Sequence, residues 1–544
     1  MTCMESTSKR YSVLESTVRF INRIVNVERF KYCAAFTSLF MLIVHSFFYL
    51  NVQFSHDGLG NVYDQQEAMY IATGRWGTAV FKNLIEGLEG SPWKIGVITI
   101  LFMILVTYLI CDLFDFSKGQ SIAAVAFLTT NLTMIAQYAN YIGNCGVYSA
   151  AAFLAVFGVY LFEKLKANIL VKIPLSALCL MGSMSMYPMY LALAAGLFVM
   201  TLIAGEDKND GKFFRRMILR GIQDVIVLAL GVVLLFISME AAYSITGVEK
   251  WISYNSPFQI MGLSIADVIR KIPGTYTYIF DYFFRGNGYV DQRLMICHAA
   301  TALIIVISVV WMLISKVSAR KKVWSLLMLI MLPIGLNGFF LVYSGRISSV
   351  MEYSFNLVYL VPLLFLSSKS LGDKPFNAFG ISIKSAFRKV LLFSFGILSL
   401  VVLWHNTVFA NGAYLHTKLM YDSTARDVSM VWNDIESIEE YESGTTPVIV
   451  VGRFDNSEMD FDSLVGAKYF MVLPGVDDSS ITYPGTFRAF SWYLEGKIHD
   501  IIIEGDPAYH ADERIINMPT YPLEGSVCWM DDAVIVKLSN EPVE

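Results

Sequence analysis

Ile222-Gln-Asp-Val-Ile-Val-Leu-Ala-Leu-Gly-Val-Val-Leu-Leu-Phe-Ile-Ser-Met-Glu-Ala-Ala-Tyr-Ser-Ile245 is the stretch that decides the fold. Between Asp224 and Glu240 it carries no charge, and it has the length of a bilayer-spanning helix, about 20 mainly apolar residues. Ten more runs of this kind flank it, near 32–50, 94–112, 120–136, 146–162, 172–186, 188–204, 294–315, 324–343, 354–367 and 390–410. The fifth and sixth in chain order are divided only by the Tyr187-Pro188 turn. The composition agrees: 55% of the 544 residues are apolar and 16% charged, against about 25% charged in a soluble globule. A soluble enzyme, a fibre and a disordered chain are excluded. The reading is a polytopic α-helical membrane protein of eleven spans. The segment before Tyr32 is too long and polar for a signal peptide, so Tyr32–Leu50 is read as a retained helix.

Lysine and arginine set the orientation. With the N-terminus inside, the cytoplasmic segments hold 24 basic residues and the outside loops 9. Residues 411–544 carry 8 basic and 24 acidic residues, and an odd number of spans puts them outside. Three units follow: a cytoplasmic segment 1–31, a transmembrane domain 32–410 with long outer loops at 51–93 and 246–293, and an extracytoplasmic domain 411–544. The last opens with apolar residues at helical spacing from Leu415 to Ile438. Strand-like runs follow at 447–452, 501–503 and 533–537, which gives a small α/β or α+β domain. The protein is expected in the cell membrane, N-terminus in the cytoplasm. The seven cysteines show no metal-ligand or disulfide spacing. No soluble part has a basic patch, so nucleic acid is not a partner.

The chemistry-bearing residues gather outside. Asp57 lies just beyond the first span, followed by Asp64 and Glu67. On a helix these three carboxylates share a face, and a Gly58/Gly60 turn is the equal alternative. A carboxylate at the water boundary serves as a general base toward an attacking hydroxyl, or caps a helix. Arg75, Arg285, Arg293 and Arg346 fall on the same side, each near the edge of a span, and the guanidinium fork suits phosphate. Glu240, Asn337 and Glu352 add polar groups to the outer halves of spans, where an ionisable side chain usually faces a cavity or a partner. Asp224 and Glu163, at inner ends, need no such account. The aromatic run 275–284 would roof a site or sit in the interfacial belt. His45 and His298 read as packed residues. Asp57, Asp64 and Glu67 offer oxygen ligands to Mg²⁺ or Mn²⁺, but no Asp-x-Asp or His-x-Glu pattern requires a metal.

His56-Asp57, then Asp64, then Gly74-Arg75-Trp76 after a first span resembles the bacterial glucosyltransferases that convert O-antigen serotype. Asn406–Asp422, running into a helix with Asp427, is similar as well. Members tend to show paired acids where this chain has His56-Asp57, which leaves the partner of Asp57 to Asp64 or Glu67. The resemblance implies a GT-C type membrane glycosyltransferase, moving a sugar such as glucose from a polyprenyl-phosphate donor to an envelope glycan at the outer face. Under that implication Asp57 is the base, Arg75 and Arg346 clamp phosphate, and Asp64, Glu67 and Glu240 orient the sugar, with Arg285 a further binding group. The alternative is a transporter, flippase or polymerase of lipid-linked glycans; the first two would carry more charge at the midplane and a visible inverted repeat. Tyr483, Phe487, Phe490, Trp492 and Tyr493 in the tail would stack on sugars, form a core, or rest on the membrane.

Overall fold

Apolar periodicity becomes helix almost throughout. The computed structural model describes residues 27–53, 67–86, 91–205, 212–251, 264–285, 291–315, 317–342, 349–366, 383–453 and 486–540. In chain order the first helices are α1 (Glu28–Leu50), α2 (Glu67–Ala72), α3 (Trp76–Phe81), α4 (Pro92–Leu113), α5 (Lys118–Thr129), α6 (Leu132–Asn140), α7 (Cys145–Lys164), α8 (Ile169–Met186) and α9 (Tyr190–Ala204). Then come α10 (Phe213–Thr246), α11 (Ile265–Phe284), α12 (Gln292–Ile314), α13 (Ala319–Leu336), α14 (Gly338–Val342), a 3₁₀ segment Tyr353–Leu360, α15 (Val361–Phe365) and α16 (Ile383–Glu436). Among the described residues eight helices are long and apolar enough to cross a bilayer, with α5 and α6 counted as one. The other three expected runs form the short α9, α13, and the Tyr353–Phe365 segment.

The bundle has a long-loop end, carrying residues 51–93 and 246–293, and an opposite end near the start of α1. The Lys118–Asn140 pair of helices is its centre, 94% buried, with α1, α16 and the 353–360 segment packed on it. At the opposite end, Arg29 pairs with Asp112 at 2.6 Å and Asp115 at 2.7 Å, and Arg220 pairs with Glu163. Lys321 there donates to the Ile203 and Gly205 carbonyls, satisfying the last turn of α9.

Three sequence expectations change, and a fourth, a helix within a long outer loop, is met. Residue 411 falls inside α16, a 54-residue helix about 81 Å long by its rise, so no break separates span from tail. The second outer loop contains α11, opened by a reciprocal Ser264/Asp267 capping box. Asp224 is not a simple helix-end residue: α10 starts at Phe213, well before the apolar run, so Asp224 sits three turns in, buried, with neither carboxylate oxygen hydrogen-bonded. At its other end the same 34-residue helix, about 51 Å long, overshoots a core of about 30 Å. Glu240 therefore does not face a cavity. Its side chain is 55% exposed and pairs with Lys250 at 2.6 Å.

The first loop is docked on the bundle by its own motif. Gly74 takes φ +79°, a left-handed turn that glycine adopts without strain, and α3 follows at once. Trp76 Nε1 donates to Ser238 Oγ on α10 at 3.1 Å, and Thr78 Oγ1 donates to the Met186 carbonyl at 2.9 Å. Gly77 lies so close to α8 that a Cβ there would meet Ser185 Oγ at 2.2 Å.

The tail folds around the end of α16. Strands β1 (Val448–Val451), β2 (Ile502–Glu504), β3 (Val527–Met530) and β4 (Ala533–Lys537) form a sheet in the order β2-β1-β4-β3. β1 is parallel to β2 and β4, with Val448 opposite Ile502 and Val534; β3 is antiparallel to β4. Helix α17 (Thr486–Leu494) crosses between β1 and β2. Its Phe487 and Phe490 are buried against α16, so these two aromatics are core and not a sugar surface. Tyr483 lies outside the described residues. β3 had no counterpart among the strand-like runs: its Cys-Trp-Met pattern is short and half-buried throughout.

Trp432 is the keystone of this unit, 1% exposed, stacked at 6.0 Å on Phe487 and donating to Ser491 Oγ at 2.7 Å. Trp432→Ala should cost about 3–5 kcal/mol, seen as tail cleavage in limited proteolysis while the membrane fragment stays intact. Gly77→Ala should lower the melting temperature of the detergent-solubilised protein. Ser185→Gly, which removes the colliding hydroxymethyl, should restore much of the loss in a double-mutant cycle; additive losses would contradict the close approach.

Candidate active site

Of the residues singled out by sequence, Asp57, Asp64 and Arg346 lie outside the described residues. Glu67 is exposed at the first turn of α2. Arg285 closes α11 with its side chain 69% exposed, paired to Asp281 one turn back and lying over Phe280. Glu240 is paired on the rim, as above. Arg75 alone of these is half-buried and turned into the protein. Its guanidinium carbon lies 5.8 Å from the Tyr187 ring centroid, and its Nε has no hydrogen-bond partner. Stacking on an aromatic face holds a cation without neutralising it.

A row of tyrosines leads inward from that arginine. Ring centroids are 4.6 Å apart for Tyr148 and Tyr187, 5.9 Å for Tyr187 and Tyr190, and 5.7 Å for Tyr190 and Tyr353. Lys82, only 8% exposed, sits 5.2 Å above the Tyr70 ring, and Tyr70 donates to Asn144 Oδ1 at 3.0 Å. Lys82 had no sequence signal beyond being basic in the first loop. It is placed by the π-helical turn Lys82–Glu86 that follows α3. At the end of the row, Glu352 is 1% exposed and accepts from Tyr278 of α11 at 2.6 Å. Asn337, also buried, caps α13 with its Nδ2 unpartnered.

Helix α11 separates two environments. Tyr278 and Tyr282 face the interior, against Glu352 and Phe355. Tyr276, Ile279, Phe280, Phe283 and Phe284 face a 330 Å³ groove whose other walls are α12 (His298, Thr301, Ala302, Ile305, Val306), α13 (Leu329, Leu332, Pro333, Leu336) and Val358, Tyr359 and Val361. Of the lining side chains, Phe280 and Val306 are each at least half exposed. A groove of this size and apolar lining suits a hydrocarbon ligand. His298 bonds the Phe283 carbonyl through Nδ1 at 2.8 Å, a packed histidine; His45 is likewise packed, against Tyr414 at 2.7 Å.

Beside the groove, Asp291 caps α12 and meets His405 Nε2 of α16 at 2.9 Å. Burial alone would raise its carboxyl, but the Leu294 N–H and His405 outweigh burial and hold it below the usual carboxylate range. This pair ties α12 to the helix that carries the tail. Among the described residues no three His, Cys, Asp or Glu side chains gather as a metal site.

The family model described as glucosyl transferase GtrII matches residues 46–367. No curated protein matches the chain. Among solved structures, the crystal structure of ArnT from Cupriavidus metallidurans bound to undecaprenyl phosphate is similar with a TM-score of 0.34 and 13% identity, over 87% of this chain and 90% of that one. The family match spans well over half the chain, from the end of α1 to the end of α15, and takes in the docked first loop, the tyrosine row and the groove: the chain belongs to the GtrII glucosyl transferase family and is a multi-pass membrane glycosyltransferase.

Proposed function

We propose that this protein moves a sugar, glucose by its family, from a polyprenyl-phosphate donor to an envelope glycan on the outer face of the cell membrane. The observation that carries the reading is the lateral apolar groove between α11, α12 and α13, open where lipid would lie and adjoined by the segment that ends the tyrosine row. The isoprenoid tail occupies the groove. Its phosphate meets Arg75, with Lys82 and Arg346 as further cations, and the long-loop end faces outward, as the basic residues of the sequence indicate. The C-terminal unit is extracytoplasmic on the same grounds.

The step is a displacement at the anomeric carbon. Asp57 takes the proton of the acceptor hydroxyl as its oxygen attacks, the bond from that carbon to the phosphate oxygen breaks, and the phosphate leaves on the lipid. Arg75 stabilises the charge that gathers on the leaving oxygen, through charge-assisted hydrogen bonds worth more than neutral ones. Asp64 and Glu67 orient sugar hydroxyls. Glu240 and Arg285 have no role here, since each is exposed and spent on a neighbouring charge.

Asp57→Asn should abolish transfer while membrane levels stay normal; near wild-type activity would put the base elsewhere. Arg75→Ala should raise KM for the lipid-linked sugar and lower kcat, with Arg75→Lys recovering only part, because lysine lacks the fork. Unchanged kinetics with the polyprenyl-phosphate sugar would remove Arg75 from the phosphate site.

A further inference from the structure

The walls of the lateral groove agree on its length. On α12 it is lined by His298, Thr301, Ala302, Ile305 and Val306, at i, i+3, i+4, i+7 and i+8, and the five lining side chains of α11, from Tyr276 to Phe284, repeat that spacing. Each set is one face of a helix, about 12 Å long by the rise. The enclosed volume is 330 Å³. An isoprene unit adds four chain bonds, which advance about 4–5 Å when extended. It fills about 100 Å³, some three times a water's share of the liquid. Length and volume therefore both give room for about three units.

Polar atoms along the walls are used by the backbone. Tyr276 donates its hydroxyl to the Ile330 carbonyl at 2.8 Å, and His298 Nδ1 bonds the Phe283 carbonyl. Thr301 Oγ1 donates to the Cys297 carbonyl at 2.9 Å, one turn back along its own helix. No lysine or arginine lines the groove among the described residues, so a phosphate lies beyond its end and only hydrocarbon within it. The end is set by α12, which follows the second outer loop: His298 is nearer the long-loop end, and Val306 is deeper and more than half exposed. A chain that enters beside His298 leaves past Val306 into the bilayer. Ala302 stands between the two and is the smallest lining side chain.

We propose that the groove is a gauge for the part of the donor lipid next to the phosphate, about three isoprene units, with Ala302 leaving the room for the chain to pass. This rests on the lipid-linked donor reading above and adds to it which part of the lipid the protein recognises. The remaining units stay in the bilayer, which hosts hydrocarbon as well as an aliphatic wall does. The test is kcat/KM of the purified protein in detergent for glucosyl phosphates carrying one, two, three, four and eleven prenyl units, compared at equal micellar concentration. The value should rise at least tenfold from one unit to three and change less than threefold from four to eleven. Ala302→Phe, which fills the middle of the groove, should lose most of that rise, and the smaller Ala302→Leu part of it, with thermal melting showing that both variants fold. A value that climbs steadily to eleven units, one that is flat from the first unit, or variants that lower every donor by one factor would overturn the proposal and leave the donor reading standing. If wild-type protein uses none of the chain lengths, the donor reading itself fails.

Discussion

A bilayer supplies no hydrogen bonds, so each polar group that enters it must be met from within the chain. That constraint organises this molecule around α5 and α6, the pair with almost no lipid contact. Tyr353 donates to the Leu128 carbonyl, Asn406 of α16 to the Thr130 carbonyl, and Gln120 to the Leu363 carbonyl. The break between the two helices exposes carbonyls that a continuous helix would have kept for itself, and two distant segments use them. The centre is therefore both the most buried of the long apolar helices and a polar junction.

From this junction the long-loop end acquires its geometry. Glycine at 74 and 77 lets the first loop turn sharply and lie flush on α8, which brings Arg75 over Tyr187 and carries Lys82 to Tyr70. Neither cation is drawn in by a hydrophobic pattern of its own. Backbone turn and close approach set the position, and at Arg75 the Tyr187 face holds the charge without cancelling it.

Hydropathy made the membrane-spanning helices legible, because the energetic penalty for charge in lipid is written directly into composition. The Gly74-Arg75-Trp76 motif was legible for the same reason that it works: each residue type answers a local demand. Glu240 misled because an apolar run does not reveal where a helix starts: in the 34-residue α10 the carboxylate lies exposed and paired with Lys250. Lys82 was illegible for a different reason. Its meaning depends on what packs against it, and a tertiary partner such as Tyr70 leaves no trace in local spacing. The strands of the tail were readable where they are buried and aliphatic, and unreadable at β3, where exposure is intermediate throughout.

The division made by α11 gives the two halves of a lipid-linked donor different hosts. Its groove face is aromatic and open to the side, while its interior face is pinned by Tyr278 to the buried Glu352. A buried carboxylate is costly without partners, so this contact fixes the helix more firmly than the ring contacts around it. Pro273, two turns into α11, removes one backbone hydrogen bond, and the Tyr278–Glu352 and Tyr276–Ile330 hydrogen bonds and the packing of Gly274 against Phe340 set the position of the helix. The wall between hydrocarbon and polar interior is thus held by two phenols, Tyr278 on the Glu352 carboxylate and Tyr276 on the Ile330 carbonyl. The same chain segment that supplies the carboxylate goes on through Tyr353 to the tyrosine row and through Val358 and Tyr359 to the groove, so a shift at either environment is felt at the other.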